Sequence, residues 1–248
     1  MSRTFNGSTQ YLSRSSSPVT VLPLTMAGWM NAAAIGSIGT AFCLSSTAQA
    51  SANSWRISIS GSGGFVVTET AVNSAVSAIT SSTVSAGTWN HICGIFATST
   101  SRSIFMNGAN KTTNTAWRTT TNIDGTFLGT SFTDAGNAIV NPFNGSLANF
   151  GLWNVALTDG EVAELATGLP CSAVRPDALV GWWRLLQNDG DVDWWKQNNL
   201  TATASPTFSQ HPPVIRYPNT IRVISSATAA PPAGGPPKNN ALLLRGVG

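Results

Sequence analysis

The chain has 248 residues, enough to bury a large core, and all-β sandwiches of this length are often one domain, so one domain is expected in preference to two. Hydrophobic residues make up 42%, whereas charged residues, at 9%, fall far below the usual quarter or so, and Ser, Thr, Asn and Gly fill the gap. The net charge of +3 rests on scattered arginines (Arg3, Arg56, Arg102, Arg184) without a basic run, which argues against nucleic acid, and no apolar stretch reaches the length of a membrane span.

In chain order, Arg3-Thr4-Phe5 precedes an Asn6-Gly7 turn and Gln10-Tyr11-Leu12, and after Pro18 and Pro23 the run Thr25 to Met30 reads as a strand. Strands are expected at 37–44 and at Ser54 to Ser60, where WRISIS alternates clearly. Gly61 to Gly64 turns the chain into Phe65-Val66-Val67, and 72–84 alternates weakly. Trp89 to Phe96 alternates with both faces apolar, as in a strand sandwiched between two sheets. Ile104, Phe105 and Met106 lead to Asn107-Gly108, a pair that supplies the two positive φ values of a tight hairpin, and the polar strand beyond it is expected to face water. Thr126 to Gly129 and Phe143 to Trp153 are expected as the last strands of the sandwich.

Thr158 with Glu161 forms a capping box, and Val162, Leu165 and Ala166 make a narrow apolar stripe closed by Gly168 and Pro170. We expect one short helix capping an end of the molecule. Short strands with Gly-rich turns and a single helix predict an all-β fold, an antiparallel jelly-roll sandwich. The expected organisation is one domain over 1–217, in which 178–204 supplies a strand, followed by an extended Pro/Gly-rich arm over 218–248.

Four features in order resemble the laminin-G-like, concanavalin-A-like jelly rolls. They are Phe5-Asn6-Gly7-Ser8 with Tyr11; Met26 to Met30; Trp89-Asn90-His91 with Phe105 to Gly108; and Phe143 to Leu147 running through Trp153, Leu157 and Glu161. The resemblance spans roughly residues 3 to 168 and implies two curved antiparallel sheets. It implies no single activity, because the family includes lectins, adhesion modules, glycosidases and virion proteins. In that family, text similar to Ala178 to Leu185 and Asn198 to Thr203 opens the domain, which suggests a circular permutation here.

A glycosidase needs two carboxylates about 5 to 9 Å apart across a cleft. Glu161 and Glu164 sit on the helix, Glu69 stands alone, Asp124 and Asp134 lie in separate loops, and the paired acidic pattern of the glucanase branch is absent. His91 lies within a strand pattern without a nucleophile motif and is expected to be structural, hydrogen-bonded in the core. The two histidines and three separated cysteines offer no zinc spacing. Asp189, Asp191 and Asp193 alternate in a loop and form a weak calcium candidate, with a solvated acidic turn as the favoured alternative; otherwise no cofactor is expected.

Trp29, Trp89 and Trp153 read as core. Trp55, Trp117, Trp194 and Trp195 stand among polar residues, where an exposed ring would stack on a sugar or anchor an interface, although alternation predicts at least one buried member in each of the pairs Trp182-Trp183 and Trp194-Trp195. Trp117, Trp194, Trp195 and Asp124 are the candidate glycan ligands. Leu242, Leu243, Leu244 and Arg245 form an apolar plug that would dock on a partner protein.

Cys43, Cys93 and Cys171 suggest no disulfide framework, and the N-terminus lacks a charged-then-apolar leader. Together with the low charge, these features lead us to expect a non-catalytic adhesion or structural protein on a phage virion surface. It would be a decoration or fibre-type component made in the host cytoplasm and held by other capsid or tail proteins through its arm. Self-association and binding of surface glycans are compatible with that role. The alternatives are a lectin with no virion role and a glycoside hydrolase.

Overall fold

A computed structural model of the chain describes residues 1–47, 53–72, 74–133, 138–187 and 191–215. The chain divides into units Met1–Tyr217 and Pro218–Gly248. The expected arm with Leu242 to Arg245, the continuation of the run beginning at Ile215, Asp134 and Asp189 lie outside the described residues.

The strands in chain order are β1 (Ser2–Asn6), β2 (Tyr11–Arg14), β3 (Leu24–Ala32), β4 (Gly39–Ser45), β5 (Ser54–Ile59) and β6 (Phe65–Val72). Next come β7 (Ser74–Thr83), β8 (Trp89–Thr98), β9 (Ser101–Met106), β10 (Ala109–Asn114), β11 (Gly125–Leu128) and β12 (Ser131–Thr133). Then follow β13 (Ala138–Val140), β14 (Asn144–Trp153), helix α1 (Asp159–Ala166), β15 (Leu179–Trp183), β16 (Thr201–Thr203) and β17 (Thr207–Ser209). The fold is all-β, with two antiparallel sheets packed as a jelly-roll sandwich.

Sheet A runs β10-β9-β8-β3-β14-β1-β17, with β15 also on β14, and sheet B runs β16-β2-β11-β4-β5-β6-β7. Between them lies a core that includes Phe5, Leu12, Met30, Phe42, Trp55, Ile57, Ile92, Ile104, Phe150 and Trp183. The β9–β10 hairpin turns at Asn107 (φ 56) and Gly108 (φ 73), the two left-handed residues that its twist requires. β10 is largely exposed, as its polar sequence predicts.

The second apolar face of β8 is covered differently from the expectation of a flanking sheet. Cys93 and Ile95 pack in a separate cluster with Phe105, Trp153, Val162, Leu165, Cys171, Leu179 and Trp182, so α1 and the segment after it lie on the outer face of sheet A. The helix therefore shields a face and does not cap an end. Its capping box is formed: the Thr158 hydroxyl accepts from Glu161 N, and Glu161 accepts from Thr158 N.

The sandwich does not finish at β14. β15 pairs with Phe150 to Trp153, β16 pairs with β2, and β17 pairs with β1, so the chain after the helix adds strands to both sheets. The crossing from one sheet to the other is pinned by Arg3, whose Nε and Nη2 donate to the two Asp191 oxygens at 2.7 and 2.5 Å. Arg3 is also stacked 4.2 Å over Phe208.

Candidate functional site

The outer face of sheet B bears two clefts among the described residues. Trp55 and Ile57 on β5, Phe42 and Leu44 on β4, Leu128 on β11 and Leu12 on β2 point into the core, so period two places their neighbours on the opposite face. The register then aligns Ser13, Phe127, Cys43, Arg56, Glu69 and Ser77 across five strands and into a sixth as one transverse row. The β12–β13 hairpin lies over the middle of this row: Phe132 stacks on Phe127 with centroids 4.9 Å apart and planes 11° apart, and the Phe132 backbone hydrogen-bonds Cys43. Burial pushes the Cys43 thiol up to about 11, so it stays protonated and inert.

On one side of the hairpin, Tyr11, Ser13, Arg14, Ser15, Thr47, Phe127 and Phe132 line a cleft of about 270 Å³. Arg14 is held at its edge by Ser16 and by Asn198 Oδ1, 2.6 Å from Nη1. The Thr47 amide donates to Asp124 Oδ1 at 2.6 Å, which fixes the lip. On the other side a cleft of about 280 Å³ contains Arg56, Glu69, Ser77 and Asn141 with Ile38, Val67 and Ile79. Arg56 Nε donates to Glu69 Oε2 at 2.6 Å, and Ser77 Oγ donates to Glu69 Oε1 at 3.1 Å. Neither cleft is lined by two carboxyl groups, the arrangement that glycoside hydrolysis requires. A larger hollow of about 430 Å³ beside Thr167 to Leu169 and Pro213-Val214 has no ionisable or aromatic lining.

The residues singled out from sequence lie elsewhere. Trp117 is 63% exposed in the connection between β10 and β11, beside the β8–β9 turn to which Arg118 N bonds through Ser99 O. Trp194 and Trp195 are both exposed, contrary to the alternation argument, because they sit in a turn and not on a strand. One face of Trp194 is covered by the Arg184 guanidinium at 4.2 Å. Trp182 and Trp183 are both buried, since each face of β15 is covered. Trp55 is also buried: its polar neighbours belong to the outer face of β5 and the indole to the inner. Of the expected ligands, Asp124 is tied to the aromatic cleft through Thr47, whose amide donates to it.

Asp191 and Asp193, the two described members of the acidic loop, are hydrogen-bonded into the fold. Asp193 is buried and accepts from the amides of Trp182, Trp195, Lys196 and Asn198 at 2.7 to 3.1 Å, while Asp191 is engaged by Arg3. Among the described residues no group of His, Cys, Asp or Glu is placed to hold a metal. Calcium or a chelator is expected to leave the melting temperature unchanged; a rise with calcium would contradict this assignment of Asp191 and Asp193.

His91 is buried against Trp29, with ring centroids 5.5 Å apart, and its Nδ1 has no hydrogen-bond partner, contrary to the hydrogen bond expected for it. Burial lowers its pKa to about 3, so the ring is neutral at ordinary pH. Tyr11, Arg56, Glu69, Phe127 and Phe132 are the site residues that sequence reasoning missed. The available signal was the WRISIS alternation, which already placed Arg56 opposite the core side chains.

Comparison with known proteins agrees with this fold. A laminin G family model, described as the concanavalin A-like lectin/glucanases superfamily, matches residues 6–163, more than half of the chain. No curated protein sequence matches significantly. Among solved structures, a putative carbohydrate binding protein from Bacteroides ovatus superposes with a TM-score of 0.58 at 14% identity, over 87% of this chain and 61% of that one. Domain 4 of a GH43 extracellular arabinanase from Geobacillus stearothermophilus, in complex with arabinotriose, gives 0.53 at 19% identity, over 66% of this chain and 76% of that one. The IT-sialidase CBM40 of Ruminococcus gnavus bound to α2,3-sialyllactose gives 0.52 at 16%, over 59% and 84%. On the match over residues 6–163, this chain belongs to the concanavalin A-like lectin/glucanase superfamily.

Proposed function

We propose that the domain binds carbohydrate without cleaving it, on the outer face of sheet B. The observation that carries this reading is the cleft beside the hairpin, where the Phe127–Phe132 stack and Tyr11 stand among the hydroxyls of Ser13, Ser15 and Thr47. A sugar ring has an apolar C–H face and a rim of hydroxyls, so an aromatic surface bordered by hydroxyl and guanidinium groups matches both. Similar folds bound to arabinotriose and to sialyllactose support the same reading.

Screening on a glycan array followed by titration calorimetry tests it. Tyr11→Ala and Phe132→Ala are each expected to weaken the best ligand about tenfold or more, near 1.4 kcal/mol, with the fold retained. No array ligand, or affinity unchanged in the double variant, would overturn the proposal.

The setting we propose is the surface of a phage particle, with residues 218–248, including Leu242 to Arg245, holding the domain to capsid or tail proteins or to further copies of itself. The low charge and the three buried, unpaired cysteines favour assembly in a reducing cytoplasm over an oxidising secretory route. Mass spectrometry of purified particles decides this: the protein should be present in stoichiometric amounts, and its absence would end the proposal.

A further inference from the structure

The cleft on the far side of the hairpin differs chemically from the aromatic one. Its floor is the continuation of the same transverse row, Arg56, Glu69 and Ser77, and both members of the ion pair are largely buried, with side chains 14% and 15% exposed. A pair taken this far out of water needs its remaining donors and acceptors satisfied. Arg56 uses only Nε, and its Nη1 and Nη2 have no hydrogen-bond partner among the described residues. Each Glu69 oxygen has one partner, so each keeps acceptor capacity toward the cleft.

The pair is electrically neutral as a unit. An anionic ligand would meet Glu69 and a cationic one would meet Arg56, so the cleft selects a neutral group that both donates and accepts at adjacent positions. Two neighbouring hydroxyls on a sugar have that character: one accepts from the guanidinium while the other donates to the carboxylate. Above the floor, Val67 and the half-exposed Ile38 (49%) and Ile79 (48%) form aliphatic walls suited to the C–H face of the same ring.

We infer that this cleft is a second, independent glycan site, selective for the vicinal diol of a neutral sugar. It rests on the reading that this sheet face binds carbohydrate, but it does not use the aromatic cleft.

Calorimetric titration of the full chain with neutral hexasaccharides (gluco-, manno-, xylo- and arabino-) and with hexagalacturonate tests it. In the Tyr11→Ala/Phe132→Ala background, at least one neutral hexasaccharide should still bind and hexagalacturonate should not. Arg56→Gln/Glu69→Gln should weaken that residual binding about tenfold or more. Since removing an ion pair can unsettle β5 and β6, Ile79→Ser, at an exposed position, is a second probe expected to weaken it about threefold.

Absence of residual binding in the aromatic-cleft background would overturn the second site and leave the first intact. Residual binding that neither Arg56→Gln/Glu69→Gln nor Ile79→Ser alters would also overturn it. Preference for hexagalacturonate in that background would overturn the neutral-diol class. Failure of the unaltered chain to bind any of these, or any array glycan, would remove both sites.

Discussion

Asp193→Ala is expected to destabilise the domain by about 3–5 kcal/mol, or to prevent folding, because one buried carboxylate closes the turn that links the two sheets. Its oxygens accept from the amides of Trp182, Trp195, Lys196 and Asn198, and the Asn199 side chain in turn accepts from the Asp193 amide. Alanine leaves those amides unsatisfied while Trp183, packed against Phe42 and donating to Asn198 O, loses the frame that positions it. Asp193→Asn keeps one acceptor oxygen and should recover part of the loss. Urea denaturation of the three proteins measures it; a cost below about 1 kcal/mol for alanine would mean the turn is held by other contacts.

The second large effect is acid sensitivity. His91 is neutral in the fold with its pKa lowered to about 3, whereas in the unfolded chain it protonates near 6.5. The unfolded state therefore binds the extra proton between these values. The stability that this group contributes is full above about pH 6.5 and falls with decreasing pH, by up to about 1.4 kcal/mol per unit, until about pH 3. His211, lowered to about 4 chiefly by burial, acts with the same sign over a narrower window. Denaturation at pH 7.5 and at pH 5, above the carboxylate range, isolates the histidines. His91→Phe should remove roughly half of the difference between the two pH values or more, and an unchanged difference would show that His91 is not buried as a neutral ring.

Local chemistry made several elements readable from sequence alone. Asn107-Gly108 had to turn because both residues take positive φ, Thr158 with Glu161 had to start a helix, and Trp89 to Phe96 alternated on two apolar faces. What covers the second of those faces was not readable, since alternation reports burial and not the identity of the covering layer. Helix α1, placed at one end by expectation, lies on the outer face of sheet A for that reason.

The candidate site was less legible, and the cause is register. Ser13, Phe127, Cys43, Arg56, Glu69 and Ser77 come from separate strands, and only the pairing of β2, β11, β4, β5, β6 and β7 brings them into one row. Read in its own segment, Glu69 stands alone and Arg56 is one scattered arginine. The tryptophans misled for the complementary reason: polar neighbours signal exposure only when they share a face with the ring. At Trp55 they lie on the opposite face of β5, and the indole is in the core.

Glycan binding on the outer face of sheet B is tested most directly by chemical-shift mapping of the labelled protein titrated with its best array ligand. The shifts should cluster on Tyr11, Ser13, Arg14, Thr47 and Phe132, with a second group at Arg56, Glu69 and Ile79 if both clefts fill. Shifts confined to Trp117 or to Trp194 and Trp195, with that face silent, would contradict it.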